Sequence, residues 1–151
     1  MGKQGKKIKC QDLDICAISS SHHSLGKGRI TIDSGAAESV LPRSMLKEVQ
    51  LRESEGSRNG MCFKVANGGK MPNYGEKKVN FQMTANRQPK GIHAMTFQVT
   101  DATKPLAAVS KIVKKGNRVI FDPEGSYVQN IKSGQKKDLS EVGGIYQMDV
   151  E

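Results

Sequence analysis

With 151 residues the chain has room for one domain with a hydrophobic core and too few for two comfortable ones. A hydrophobic fraction of 36%, no Trp and 5% aromatics describe a modest core of Ile, Val, Leu and Met, and 16 glycines against 5 prolines point to many turns between short strands. Lys and Arg number 24 against 15 acids, a formal charge of +9 that favours polyanions without bearing on fold, and no apolar run approaches the roughly 18 residues of a membrane span.

Residues 1–26 read as a flexible leader. The first eleven are cationic and Gly-punctuated, without the apolar stretch of a secretion signal, so the chain is expected inside the cell. "LDICAI", from Leu13, alternates well enough for a short strand, and "SSSHHSLGKG" breaks it into a loop. Cys10, Cys16 and Cys62 are odd in number and lack the paired tight spacing of a zinc site. They read as reduced thiols, with no metal and no cofactor expected.

The domain proper is expected over 27–151. In "GRITID" (28–33) Ile30 and Ile32 alternate with Arg29 and Thr31, the period of a half-buried strand, which delivers Asp33 at its end followed by Ser34, Gly35 and two alanines. Pro42 then opens a predicted short helix, "PRSMLKEVQL", with Met45, Leu46 and Val49 on one face. "RESEGSRNG" is loop. Met61, Phe63 and Val65 alternate up to Asn67-Gly68, a strong hairpin signal. The chain returns through Met71 and Tyr74 to Val79, Phe81 and Met83, and a further segment carries Met95, Phe97 and Val99 on one face. Three alternating segments joined by turns predict a meander, or a barrel-like half-sandwich.

Leu106 to Val109 is a short continuous apolar run, as in a strand buried on both faces. Ser110 to Lys115 reads as a helical turn capped by Gly116. Arg118–Phe121 and Ser126–Gln129 are strands across the turn "DPEG"; 131–143 is a polar linker; and 145–150 is a last alternating strand. Asp14, Asp101 and Asp122 are turn or surface acids, and His22, His23 and His93 have no Ser or Cys partner pattern for a nucleophilic triad.

Three motifs occur in order: Asp33-Ser34-Gly35-Ala36 at a strand end, Val65-Ala66-Asn67-Gly68 at a hairpin, and Leu106-Ala107-Ala108-Val109-Ser110-Lys111-Ile112 running through Gly116 to Val119 and Phe121. Together they resemble the retropepsin-like aspartic proteases of copia-type retrotransposon polyproteins, over roughly residues 28–130. The resemblance implies an all-β, closed-barrel or half-sandwich protomer with one or two short helices, acting as a symmetric homodimer on a polypeptide substrate, its own polyprotein, in the cytoplasm or within retrotransposon particles. Asp33 would be the catalytic carboxylate, met on the two-fold axis by Asp33 of a second copy, because each chain carries one Asp-Ser-Gly. Ser34 would bond across the dimer, Gly35 would allow close backbone approach, Ala36 and Ala37 would keep the cleft floor narrow, and Val65, Ala66, Asn67, Gly68 and Gly69 would form the flap. One departure stands out. Ala107 and Ala108 occupy the place where the family carries a glycine for close packing, which bears on the efficiency of the site.

A reading of another class uses the same residues differently. A non-catalytic dimeric β-domain would bind RNA or polyprotein partners, and the +9 charge admits weak RNA affinity in either case. One of the two terminal strands, with 145–150 favoured, would supply the dimer sheet, since an isolated edge strand invites pairing.

Overall fold

Strands dominate the computed structural model, which describes residues 10–12, 28–65, 68–84 and 91–151. In chain order they are β1 (Cys10–Asp12), β2 (Gly28–Asp33), β3 (Val40–Pro42), β4 (Cys62–Lys64), β5 (Lys70–Pro72), β6 (Gly75–Gln82), β7 (Ile92–Thr100), β8 (Leu106–Ala108), β9 (Asn117–Ile120), β10 (Ser126–Asn130), β11 (Lys136–Val142) and β12 (Ile145–Val150). Two short helices, α1 (Glu55–Arg58) and α2 (Val109–Lys114), complete the described elements. The chain is all-β, and no helix among the described residues is long and apolar enough to cross a membrane. The predicted strand over 13–18 lies outside the described residues.

A nine-stranded sheet runs β6-β7-β3-β8-β2-β12-β11-β10-β9, and a three-stranded sheet runs β1-β4-β5. The large sheet curls until its first strand touches its sixth. Gln82 and Glu151 exchange backbone N–H···O bonds of 3.1 and 2.9 Å, and Met83 bridges Val150. That contact is a corner and not a ladder, so among the described residues the expected closed barrel does not form. The curl wraps the main core, in which Ile30 and Ile32 of β2 meet Phe81, Met83, Met95, Phe97 and Met148. Central placement explains Thr31. The sequence pattern puts it on an exposed face, but β12 on one side and β8 on the other leave it 8% exposed.

Three expectations are corrected. Residues 131–143 are not a linker, because β11 fills 136–142. Lys137 and Leu139 are its buried positions, and Gly143 and Gly144, at φ 58° and 82°, make the tight turn into β12. Residues 42–51 form successive turns instead of a helix. Leu46 is left-handed at φ 53°, which breaks the helical path, and the buried Lys77 ammonium donates to the carbonyls of Met45 (3.1 Å) and Leu46 (2.8 Å); the Leu46 carbonyl also closes a turn by accepting from the Val49 N–H at 2.9 Å. The helix of this region is α1, in the predicted loop, where Ser54 and Ser57 form a reciprocal capping box. Finally, β12 does not lack a sheet to join: β2 and β11 take both its edges within one chain.

The cysteine expectation changes too. Cys62 is disulfide-bonded, and β1 runs parallel to β4 with Cys10 opposite Cys62. The predicted return after the hairpin divides in two. Asn73 Oδ1 accepts from the Gly75 N–H at 2.9 Å, and Gly75 at φ 130° turns the chain from the small sheet into the large one. No other residue fits there, since a Cβ would run into the Arg52 carbonyl oxygen.

Candidate active site

Asp33 ends β2 directly opposite Ala108, the last residue of β8. Its Oδ1 accepts from the Gly35 N–H at 2.8 Å. The same two-residue arrangement recurs at Asp122, whose Oδ1 accepts from the Glu124 N–H at 2.8 Å in an ordinary hairpin turn. The bond alone is therefore turn chemistry. What distinguishes Asp33 is its setting: half-buried at the mouth of a mid-sheet strand, with Ser34 and Gly35 exposed above it and Ala36 buried beneath.

The loop is fixed at its exit. Ser39, 1% exposed, accepts from the Ala108 N–H through Oγ at 3.0 Å and from the Gln98 N–H through its carbonyl at 2.8 Å. Both ends of the Asp33 loop are thus tied to the same β8 residue. Ala107 and Ala108 are wholly buried, and Ala108 has an ordinary φ of −75°, so nothing in the backbone here calls for glycine.

The hairpin expectation holds at the level of its strands. Cys62, Phe63 and Lys64 pair with Pro72, Met71 and Lys70. The turn is closed by the Val65 N–H donating to Gly69 O and the Gly68 N–H donating to Val65 O, both at 2.9 Å, with Gly68 left-handed at φ 83°. Ala66 and Asn67 lie outside the described residues. Phe63 anchors the hairpin base in a cluster with Ala36, Val40, Leu106 and Ala108, with Met71 packed against it. Hairpin and Asp33 loop therefore share one apolar floor.

A cavity of about 570 Å³ opens beside that base. Glu38, Met61, Phe63, Asn73, Gln98 and Lys111 are among its walls, whereas Asp33 does not line it. Glu38 and Lys111 pair at 3.1 Å, and Gln98 is held between Asn73 (3.0 Å) and Glu76 (3.2 Å). Asp101 behaves as the surface acid expected. It accepts from the Tyr74 hydroxyl at 2.8 Å, a bond that raises the Tyr74 pKa above its ordinary value. Among the described residues no cluster of His, Cys, Asp and Glu gathers as a metal site. Sequence reasoning missed Ser39: a serine after an acid is generic until the strand that needs its oxygen is in place. Compared with known proteins, the chain matches no family model, no curated protein and no solved structure.

Proposed function

We propose that the chain is one half of a retropepsin-like aspartic endopeptidase, completed by a second copy, that cleaves a polypeptide substrate such as the polyprotein that contains it. The observation that carries this reading is the Asp33 loop. A carboxylate stands at the end of a central strand, oriented by the Gly35 N–H, with its Ser34-Gly35 tip open to a partner. The hairpin rooted on the same floor supports a flap role for 65–69.

The chemistry follows from two carboxylates sharing one proton, since like charges about 3 Å apart cannot both ionise. The ionised carboxylate takes a proton from water as the oxygen attacks the scissile carbonyl, and the protonated one gives its proton to the carbonyl oxygen. Collapse of the tetrahedral intermediate breaks the C–N bond, and the amine leaves with a proton from the dyad. Both edges of β12 are taken within its own chain, so the exposed Ser34-Gly35 tip is the surface we propose for the partner contact, together with the strand expected over 13–18.

The deciding experiment incubates a longer precursor containing this segment, wild type beside Asp33→Asn, with a statine-type inhibitor as a third arm. Asp33→Asn should abolish cleavage with an unchanged melting temperature, and the inhibitor should block the wild type. Undiminished cleavage by Asp33→Asn ends the reading.

A further inference from the structure

Between Asp101 and Asp122, and again between Glu124 and Asp138, the chain carries cations and no acid. The topology folds these two stretches onto one end of the β9-β10-β11 ladder. Arg118, Gln129 and Lys136 form one row across the three strands, with Arg118 and Lys136 both exposed. Residues paired across an antiparallel ladder share a face, and strands about 4.8 Å apart place these two cations on the order of 10 Å from each other. The Ile131 N–H donates to Gly116 O at 3.0 Å, which sets the exposed Lys132 beside the α2 terminus with its exposed Lys114 and Lys115. Lys115 is partly committed, donating to Ala94 O at 2.7 Å. In the next row of the same face the half-buried Tyr127 ring lies under the Lys136 ammonium, 4.6 Å away. Asp138, opposite Tyr127, is the acid on this face.

We propose that this end of the ladder is a binding surface for the phosphodiester backbone of single-stranded nucleic acid. Lys114, Arg118, Lys132 and Lys136 would supply the cations, and Tyr127 an aromatic face against which a base can stack. A phosphodiester strand fits better than an acidic peptide because its charges are regularly spaced and its bases present flat faces to an aromatic. The surface is independent of Asp33 and of the protease reading, so Asp33→Asn should bind as the wild type does.

The test is fluorescence anisotropy of the full chain with a labelled 12-nucleotide RNA and the matching DNA, across 50–200 mM KCl. Four phosphate contacts predict a log–log salt slope of about −2.8, roughly a 50-fold loss of affinity over that range. The triple variant Arg118→Ala/Lys132→Ala/Lys136→Ala should make the slope shallower by about 2. Lys47→Ala/Arg58→Ala/Lys78→Ala removes the same net charge from exposed positions elsewhere and should leave the slope nearly unchanged. The charge-keeping variant Arg118→Lys/Lys132→Arg/Lys136→Arg should restore it. Tighter binding of the RNA arm would name RNA as the ligand, and equal binding would leave the backbone itself as the recognised group; both uphold the surface. No binding by the wild type, equal effects of the two alanine triples, or equal affinity for a poly-glutamate of matched charge would overturn it.

Discussion

The backbone N–H of Ala108 donates to the Ser39 hydroxyl oxygen at 3.0 Å, sealed from solvent, and this bond fastens the exit of the Asp33 loop to the residue facing Asp33. Ser39→Ala would leave that N–H buried without an acceptor. A loss of about 1–3 kcal/mol is expected, which denaturant unfolding measures directly. A variant within about 0.5 kcal/mol of wild type would show that the bond does not hold the loop.

Gly75 supports a sharper expectation. Its φ of 130° and the Arg52 carbonyl oxygen standing where a Cβ would go exclude a side chain on two separate grounds. Gly75→Ala should destabilise by at least about 1–3 kcal/mol. The same substitution at Gly134, left-handed at φ 72° but in open space, should cost about 1 kcal/mol. Thermal melts of the pair separate crowding from conformational strain, and equal shifts would refute the crowding at Gly75.

His93 introduces a pH dependence. Burial, foremost, and the Lys137 ammonium push its pKa below the ordinary imidazole value. The unfolded chain therefore binds a proton that the folded chain resists. Stability is full above about pH 6.5 and declines as the pH falls from there toward the depressed native value. His93 also packs against Phe81, with ring centroids 5.9 Å apart, and leaves Nε2 buried without a partner. Melting temperatures of wild type and His93→Gln across pH 5.5–8 should converge toward the acid end. Parallel curves would exonerate the imidazole.

Truncation distinguishes a strand that joins subunits from one that holds a subunit together. Removing residues 145–151 takes away the strand between β2 and β11 and strips Met148 and Val150 from the core. The expected outcome is loss of cooperative unfolding by circular dichroism at every concentration. A folded but merely dissociated monomer would return β12 to the dimer role that its alternation suggested.

Local signals served where the structure is local. The 28–33 strand, the 62–72 hairpin, the step from Leu106–Ala108 into α2 with Gly116 after it, and the "DPEG" hairpin are each marked by alternation, apolar runs or turn residues within a few positions of one another. The failures involve distant partners. Residues 42–51 have helical spacing, but Leu46 is left-handed and Lys77, more than 30 residues on, anchors the carbonyls of Met45 and Leu46 in a run of turns. Lys137 and Leu139 alternate within a polar segment, and the Gly143-Gly144 pair flanked by strand-like runs was a legible hairpin signal that composition obscured. The Cys62 disulfide accompanies a parallel pairing of β1 with β4 that no spacing rule announces. The place of Asp33 at the end of its strand was readable from the alternation before it, while the Ser39 bond and the packing of Phe63 required the sheet order.

The antiparallel pairing of β2 with β12 has a consequence during synthesis. Arg29 and Asp149, 3.2 Å apart across that ladder, are separated by 120 residues of chain. A ribosome adding about 5–20 residues per second leaves β2 waiting roughly 6–24 s for its neighbour. Throughout that interval one edge of the strand bearing Asp33 is unpaired, and the core beneath it lacks Met148 and Val150. The Asp33 loop therefore reaches its final setting only after residue 150 has left the exit tunnel, so the fold closes at its two ends together instead of growing from the first strand onward.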